Sequence, residues 1–394
     1  MNPLVISAHT LTSATGTGRQ ANADALLKGH SGLRACDLDS VQLDTHIGRV
    51  TDVEEIVLTD HLAPFQCRNH QLAELGLRQD GFIEAVETAR ERYGAGRIAV
   101  LMGTSTSGIA ATEQAYHRRD PATGDLPPDY DYQHTQNMFS LADFVGTRLG
   151  LRGPAMVVST ACSSSAKVFA DAERFIAAGL CDAAVVGGVD SLCGMTLHGF
   201  NALQLVAPEP CRPLHAERAG ISIGEAAGFF LLERPDSGAA GPRLIGHGES
   251  SDAHHMSAPH PEGLGAASAM EQALTRSQRS AGAIDYVLMH ATATPANDRS
   301  EARALARLFG ADSRATGTKG LTGHTLGAAG AVGVAQALAS LERGFVPATA
   351  GLDRPDPELE LDARGVAEER EIRHVLVNAF GFGGNNCSLL LEAA

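Results

Sequence analysis

The sequence predicts an α/β protein with largely parallel sheets, and three observations carry that reading. Short apolar runs bounded by glycine alternate with longer helical patterns throughout the chain. Glycine is abundant, at 43 of 394 residues, as many tight strand-to-helix turns require. A unit of strand, turn, helix, glycine and strand spans residues 157–189 with Cys162 in its turn. The same order recurs over residues 315–350, with His324 in the turn and Gly344 after the helix, which suggests a diverged duplication.

In chain order, Met1 to Ser7 enters a short strand directly. Asp80 to Tyr93 has helical spacing, and Arg97 to Gly103 reads as a buried strand. Arg119 to Asp131, rich in Asp and Pro, is expected to be a long surface loop. A helix over Phe139 to Leu149 precedes the apolar strand at Val157, the Cys162 turn and a helix over Ser163 to Ala178. Asp182 to Val189 is a strand, and its glycine-rich part, Ala184 to Val189, is an expected subunit interface. Ala227 to Leu232 follows as a strand, and residues 235–242 have the most linker-like composition. They divide the chain into halves 1–240 and 241–394. The second half has helices at Ala266 to Gln278, Ser300 to Phe309 and Leu326 to Leu341, and strands at Tyr286 to His290 and His374 to Asn378.

Bulk properties exclude several classes. Hydrophobic residues at 44% and charged residues at 20% are those of a globular protein. A net charge of −15 argues against nucleic acid or an anionic membrane as the main partner. Cysteines 36, 67, 162, 181, 193, 211 and 387 are scattered without a CxxC pair, which is neither a disulfide framework nor a zinc ribbon. No signal peptide or membrane-spanning run is visible, so a cytoplasmic protein is expected.

The chemistry concentrates in four motifs. In Val157-Val158-Ser159-Thr160-Ala161-Cys162-Ser163-Ser164-Ser165, a thiol stands where a strand gives way to a helix. The helix N-terminus favours thiolate over thiol, which makes Cys162 a nucleophile candidate. His290-Ala291-Thr292-Ala293-Thr294-Pro295-Ala296-Asn297-Asp298 follows a strand end, where ligands bind in α/β sheets, with Glu301 on the next helix. Thr318-Lys319-Gly320-Leu321-Thr322-Gly323-His324 puts a lysine and a histidine on a turn. Asn378-Ala379-Phe380-Gly381-Phe382-Gly383-Gly384-Asn385-Asn386 can bring backbone N–H groups close to a reacting oxygen. Singly, each has an ordinary structural reading. Together they form the set needed to work on an acyl thioester.

These four motifs, in this order and spacing, resemble the β-ketoacyl-acyl carrier protein synthases of the elongating type within the thiolase superfamily. The likeness runs from Val5 to Leu391. It implies a thiolase-like duplicated fold, layered αβαβα with two mixed sheets. It implies that Cys162 takes the acyl group from acyl carrier protein and that His290 and His324 assist decarboxylation of malonyl-carrier protein. The N–H groups of Cys162 and Phe382 would form the oxyanion hole, and Lys319 and Glu301 would support the site. Thr292 and Thr294 would bind the phosphopantetheine arm, and Phe382 would gate the pocket. Phe380, Phe200 and Ile221 would line it, and Thr106 would help to set its depth. Arg68, Arg118 and Arg119 would dock the acidic carrier protein. No cofactor or metal is implied; His254, His255 and His260 lie in an ordinary loop of the family. The family default is a homodimer, and a heterodimer with a chain-length-factor-like homologue is the alternative assembly. A competing reading is that the chain is itself such a non-catalytic partner, against which Cys162 speaks. A hydrolase or acyltransferase that uses the same thiolate without decarboxylation is the third. Retention of both histidines separates the chain from priming synthases, and Cys387 is a poor second nucleophile of the thiolase kind.

The chain departs from the family pattern at two positions. Gly333 stands where a second acid would neutralise Lys319, which leaves Glu301 as its expected partner. Ala291 replaces a usual glycine, which is tolerable at negative φ. The histidine loop and the missing acid resemble synthases of aryl polyene pathways.

Overall fold

The computed structural model describes residues 1–39, 41–311 and 313–394. Its long strands fall into two sets. The first holds β1 (Leu4–Ser13), β2 (Ile98–Gly103), β3 (Ala155–Val158), β4 (Ala183–Asp190) and β5 (Ala226–Glu233). The second holds β6 (Arg243–Ser251), β7 (Tyr286–Leu288), β8 (Ser313–Thr316), β9 (His374–Gly381) and β10 (Asn385–Glu392). Around them lie α1 (Arg19–Lys28), α2 (Arg68–Leu77), α3 (Phe82–Tyr93), α4 (Ile109–His117), α5 (Ser140–Leu149) and α6 (Ser164–Ala177). They are followed by α7 (Gly194–Ala202), α8 (Leu264–Ser277), α9 (Pro295–Phe309), the single turn α10 (Lys319–Thr322) and α11 (Ala329–Arg343).

The two sets have one topology. The first is ordered β3-β2-β4-β5-β1 and the second β8-β7-β9-β10-β6. In each, the first three strands are parallel and the last two run antiparallel to their neighbours. The duplication suggested by the sequence is therefore present in the fold, and each sheet is mixed. The sheets touch at one corner, where Leu4 pairs with Leu244 and Val5 with Arg243.

Burial follows from the sequence patterns. β2 and β4 are apolar on both faces and wholly buried, as parallel strands covered by helices must be. Helices α6 and α11 lie back to back between the sheets. Phe169, Ala172 and Ile176 of one and Ala331, Val334 and Leu338 of the other share a core with both sheets. Their approach requires a glycine, since a Cβ at Gly330 would lie 2.4 Å from the backbone nitrogen of Ala166. A second core joins α2, α3 and α5 to the outer face of the first sheet, and a third joins α8 and α9 to that of the second. The result is the five-layered αβαβα arrangement expected of a thiolase-like chain. No helix among the described residues is long and apolar enough to cross a membrane.

Several expectations change. The second copy of the repeat does not close after Gly344: Phe345–Val346 pairs with Glu368–Glu369 in a separate ribbon. The counterpart of β4 is β9, reached only after residues 347–373. Ala184 to Val189 is not an interface strand, because β4 has partners on both edges and every residue is buried. The strand expected to reach His290 ends at Leu288. Helix α9 begins at Pro295 rather than Ser300, because Thr294 caps it by accepting from the Asn297 N–H. Leu326, at φ 51°, interrupts the predicted Leu326 to Leu341 helix, so α11 starts at Ala329. Residues 119–131 are the predicted surface loop.

Candidate active site

The parallel strands bring their C-terminal ends to one region, and the four motifs lie just beyond those ends. Cys162 comes after β3, His290 after β7, Lys319 and His324 after β8, and Phe382 directly after β9. Residues 290 and 324, far apart in sequence, place their rings edge to face with centroids 5.2 Å apart. Among the described residues, the ligating atoms of Cys162, His290 and His324 all lie within 4.8 Å of one another. That trio has the donor types of a zinc site, but an ion there would occupy the candidate nucleophile. His254, His255 and His260 form no such group.

Hydrogen bonds fix how each imidazole presents itself. The Leu326 N–H donates to His324 Nδ1 at 3.2 Å, so in the neutral ring the proton sits on Nε2. That Nε2 is 3.0 Å from the Cys162 sulfur. Lys319 Nζ lies 3.4 Å from His290 Nδ1 and also donates to the His290 carbonyl, which leaves His290 Nε2 to carry its proton too. Burial and the Lys319 charge hold both imidazoles well below the usual histidine range, and His324 adds to this at His290. Both rings are neutral N–H donors facing the thiol. This is the geometry of groups that hold a developing oxyanion or thiolate.

The thiol itself departs from the sequence expectation. Cys162 is 5% exposed, and burial pushes its pKa up to about 11. The charge of Lys319 and the backbone N–H groups of Phe382 and Cys162 pull it down, while Asp190 pushes it up. Desolvation is the largest of these effects. At neutral pH the resting residue is a thiol poised for ionisation, not a standing thiolate.

Lys319 and Glu301 also differ from expectation. Burial raises the Glu301 carboxyl to about 7 against the pull of its hydrogen bonds and of Lys319. It accepts the N–H groups of His290 at 2.8 Å and Ala291 at 2.9 Å, and Nδ2 of Asn378 at 3.0 Å. Its acceptor atoms thus hold the His290 turn rather than the ammonium group. Burial lowers the Lys319 pKa, and lysine and acid meet only through the His290 backbone. A Cβ at Gly333 would lie 2.9 Å from Val377 Cγ1, so an acid there would require that valine to shift. Ala291 has φ 33°, so the negative φ that would make it an easy replacement for glycine is absent.

Above the trio opens a pocket of about 80 Å³. Cys162, His290, His324, Thr292, Thr294, Phe380, Phe382, Phe200 and Ile221 all line it. The hydroxyls of Thr292 and Thr294 are 2.9 Å apart, and the rings of Phe200 and Phe382 are 5.4 Å apart. Gly383 and Gly384, at φ 81° and 75°, turn the chain around Phe382. Thr106 is not in this wall. Its hydroxyl donates to Asp190 at 2.9 Å and accepts from the Ser191 N–H, and it is fully buried. Cys387 is buried within β10 opposite Ala379, away from the pocket.

The basic residues divide. Arg68 is tied to buried Glu225 by two hydrogen bonds of 2.9 and 2.6 Å and to Glu54 at 2.6 Å, so it is a structural cation rather than a docking one. Arg118 is exposed and paired with Asp129 at 3.0 Å. Arg119 lies on the exposed loop beside Tyr116 and Asp120.

One acid escaped the sequence reading. Asp190, buried at the end of β4, accepts the hydroxyls of Thr104, Ser105 and Thr106. It also accepts the N–H groups of Ser105, Thr106 and Gly327. It thereby ties the turn after β2 to the segment that follows His324. Its signal was a lone carboxylate directly after an all-apolar strand, at the ligand-binding end of the sheet. Asp298, quoted in the histidine motif but given no role, is buried and accepts the N–H groups of Ala293 and Leu214.

The family models for the beta-ketoacyl synthase N-terminal and C-terminal domains match residues 1–237 and 243–353. The 3-oxoacyl-[acyl-carrier-protein] synthase 2 of Rhizobium meliloti (strain 1021) is 38% identical over 312 residues, covering 74% of this chain and 73% of its own. A chain of the complex between the ketosynthase ApeO and its chain length factor ApeC from Xenorhabdus doucetiae superposes with TM-score 0.90. It is 35% identical and covers 100% of this chain and 98% of its own. A chain of the ishigamide ketosynthase/chain length factor also gives TM-score 0.90, at 27% identity, covering 100% of this chain and 99% of its own. With domain models matching along most of its length and a relative 38% identical over 74% of it, this chain belongs to the beta-ketoacyl synthase family.

Proposed function

We propose that this chain is a condensing 3-oxoacyl-[acyl carrier protein] synthase whose chemistry is carried by Cys162, His290 and His324. The observation that carries the reading is their convergence: one thiol and two imidazoles, each imidazole held as an Nε2–H donor, in one apolar-walled pocket. In the first half-reaction the Cys162 sulfur attacks the carrier-bound thioester carbonyl, and the N–H groups of Cys162 and Phe382 hold the oxyanion. The carrier thiolate leaves and takes up the thiol proton, and Cys162 is acylated. His324, donating to the sulfur, stabilises its ionised form on the way. In the second half-reaction malonyl-carrier protein enters, with Thr292 and Thr294 on its arm, and the two Nε2–H groups hold its thioester oxygen. The carbon–carboxylate bond breaks, its electron pair becomes the enolate, and carbon dioxide departs. The enolate carbon attacks the acyl carbon, and Cys162 leaves as thiolate. One proton taken up per cycle restores the thiol.

The halves at residues 1–240 and 241–394 act as one unit in this account, the first supplying the nucleophile and the second both histidines. Working partners would be acyl carrier protein, with Arg119 the basic residue best disposed to meet it, and a second subunit. That subunit is another copy or a chain-length-factor-like homologue, as in the Xenorhabdus doucetiae complex. The histidine loop favours an aryl polyene chain as product, made in the cytoplasm. A purely non-catalytic role does not explain a thiol in contact with one donor ring and within 4.8 Å of a second. Intact-mass spectrometry after incubation with acyl-carrier protein should show one acyl group on the wild type and none on Cys162→Ala. Carbon dioxide release from malonyl-carrier protein should survive in Cys162→Ala. A wild type that is never acylated overturns the reading.

A further inference from the structure

The catalytic pocket is not the only opening near the Lys319 turn. A cleft of about 150 Å³ runs between β1, α1 and α11, lined by His9, Arg19, Gln336, Ala339, Glu342 and Arg343 among others. Beyond it, behind His290, lies a small cavity lined by Lys319, Gly333, Thr318 and Asn378, with room for a water. Gln336 lines both spaces and is the partition between them.

The polar groups along this line are short of partners. The Lys319 ammonium has three N–H donors, and among the described residues it finds two acceptors, the His290 carbonyl and Nδ1. The Gln336 side chain accepts from the Thr318 hydroxyl at 2.6 Å, while its own amide N–H groups have no acceptor among the described residues. His9 is 6% exposed and lines the cleft, and it makes no hydrogen bond among the described residues. Its nearest carboxylate oxygen, on Glu342, is 4.0 Å away. Polar groups that lack a protein partner take water where it can reach them, and polar cavities of this size hold it. Arg19 and Glu342, both partly exposed, stand at the outer end, 4.0 Å apart.

We propose that this cleft is a rear solvent port, which passes water across the Gln336 partition to Lys319 and supplies the proton that each condensing cycle takes up. The proposal rests on the synthase reading, because that reaction creates the demand. Malonyl carboxylate leaves as neutral carbon dioxide, the electron pair ends on the Cys162 sulfur, and a proton from bulk water must reach it. At that moment the pantetheine arm and the new chain fill the front pocket. A water chain behind His290 reaches the catalytic group from the side that substrate leaves open.

The test compares two half-reactions in the intact enzyme. Gln336→Met replaces the polar partition by an apolar side chain of similar length. Ala339→Leu narrows the cleft one turn further along α11 and leaves the Lys319 turn untouched. Acyl transfer to Cys162, read by mass spectrometry in a single turnover, takes up no net proton and should stay within about twofold of wild type in both variants. Steady-state condensation should fall at least about tenfold in both, as expected when proton delivery becomes limiting. Condensation unchanged in a folded Gln336→Met or Ala339→Leu enzyme overturns the port. So does an equal loss of both half-reactions, which would mark a structural role. If the wild type performs neither half-reaction, the synthase reading fails, and that result is distinct from failure of the port alone.

Discussion

Ala161, Ala291 and Leu326 have φ values of 52°, 33° and 51°, and they flank Cys162, His290 and His324 respectively. Residues other than glycine pay for this backbone region, and it persists here because the surrounding turns are held by other bonds. At Ala291 the restraint is visible: its N–H and that of His290 both donate to Glu301. Ala291→Gly should therefore raise stability by about 1 kcal/mol, seen as a higher urea midpoint, with condensation retained. A lower midpoint would mean that the Cβ packing of this fully buried alanine outweighs the strain. The thiol gives a pH prediction. Its pKa is raised to about 11 by burial, so the ionised fraction is small at neutral pH and grows tenfold per unit as pH rises. The iodoacetamide rate at Cys162 should climb from pH 7 to 10 without levelling. A plateau near pH 7 would show that the N–H groups and Lys319 win over desolvation. Cys162, His290 and His324 were legible as candidates only as a set, because each stands just beyond a predicted strand and the four motifs occur together. The direction of the thiol pKa was not legible, because it depends on how much water the whole fold excludes.

At the scale of elements, the central pair α6 and α11 depends on the absence of side chains where they cross. Gly330 meets Ala166 closely enough that even a methyl group would collide with its backbone nitrogen. Gly330→Ala should destabilise by about 3 kcal/mol, at the upper end of overpacking, despite the better helix propensity of alanine. A thermal midpoint equal to wild type would mean that the helices can move apart freely. Because α6 follows the Cys162 turn and α11 follows the His324 turn, the same change should also lower acylation in whatever protein remains folded. The buried strands β2, β4 and β5 could be read from uninterrupted apolar runs. Helix α11 was readable from its alanine and glycine content but began late, since Leu326 at positive φ breaks the pattern. β6 was hidden because Gly246, His247 and Gly248 interrupt its apolar run. Its glycines sit where α8 crosses, and a Cβ at Gly248 would lie 1.9 Å from the Ala269 carbonyl oxygen.

For the whole molecule, the fold leaves one end of its sheet path at β3, whose only strand partner among the described residues is β2. The sequence pointed instead to Ala184 to Val189, because glycine-rich apolar strands suit close contacts. It could not reveal that β4 is central, since strand order is a property of long-range pairing. The register at β3 sets the available bonds. The Val100 N–H donates to the Pro154 carbonyl and the Thr104 N–H to the Val158 carbonyl, so even-numbered residues face β2. The N–H groups of Ala155 and Val157 therefore point outward, toward any strand that pairs there. If a second subunit continues the sheet at this edge, Val157→Pro removes an outward donor while it keeps the inner ladder and an apolar side chain. Size-exclusion chromatography with light scattering should then show the wild type at twice the monomer mass and Val157→Pro at the monomer mass, with an unchanged far-ultraviolet circular dichroism spectrum. A wild type that is monomeric alone and pairs only when mixed with a chain-length-factor-like homologue would assign the edge to a heterodimer, and Val157→Pro should abolish that pairing too. A variant that still assembles would move the interface elsewhere on the surface.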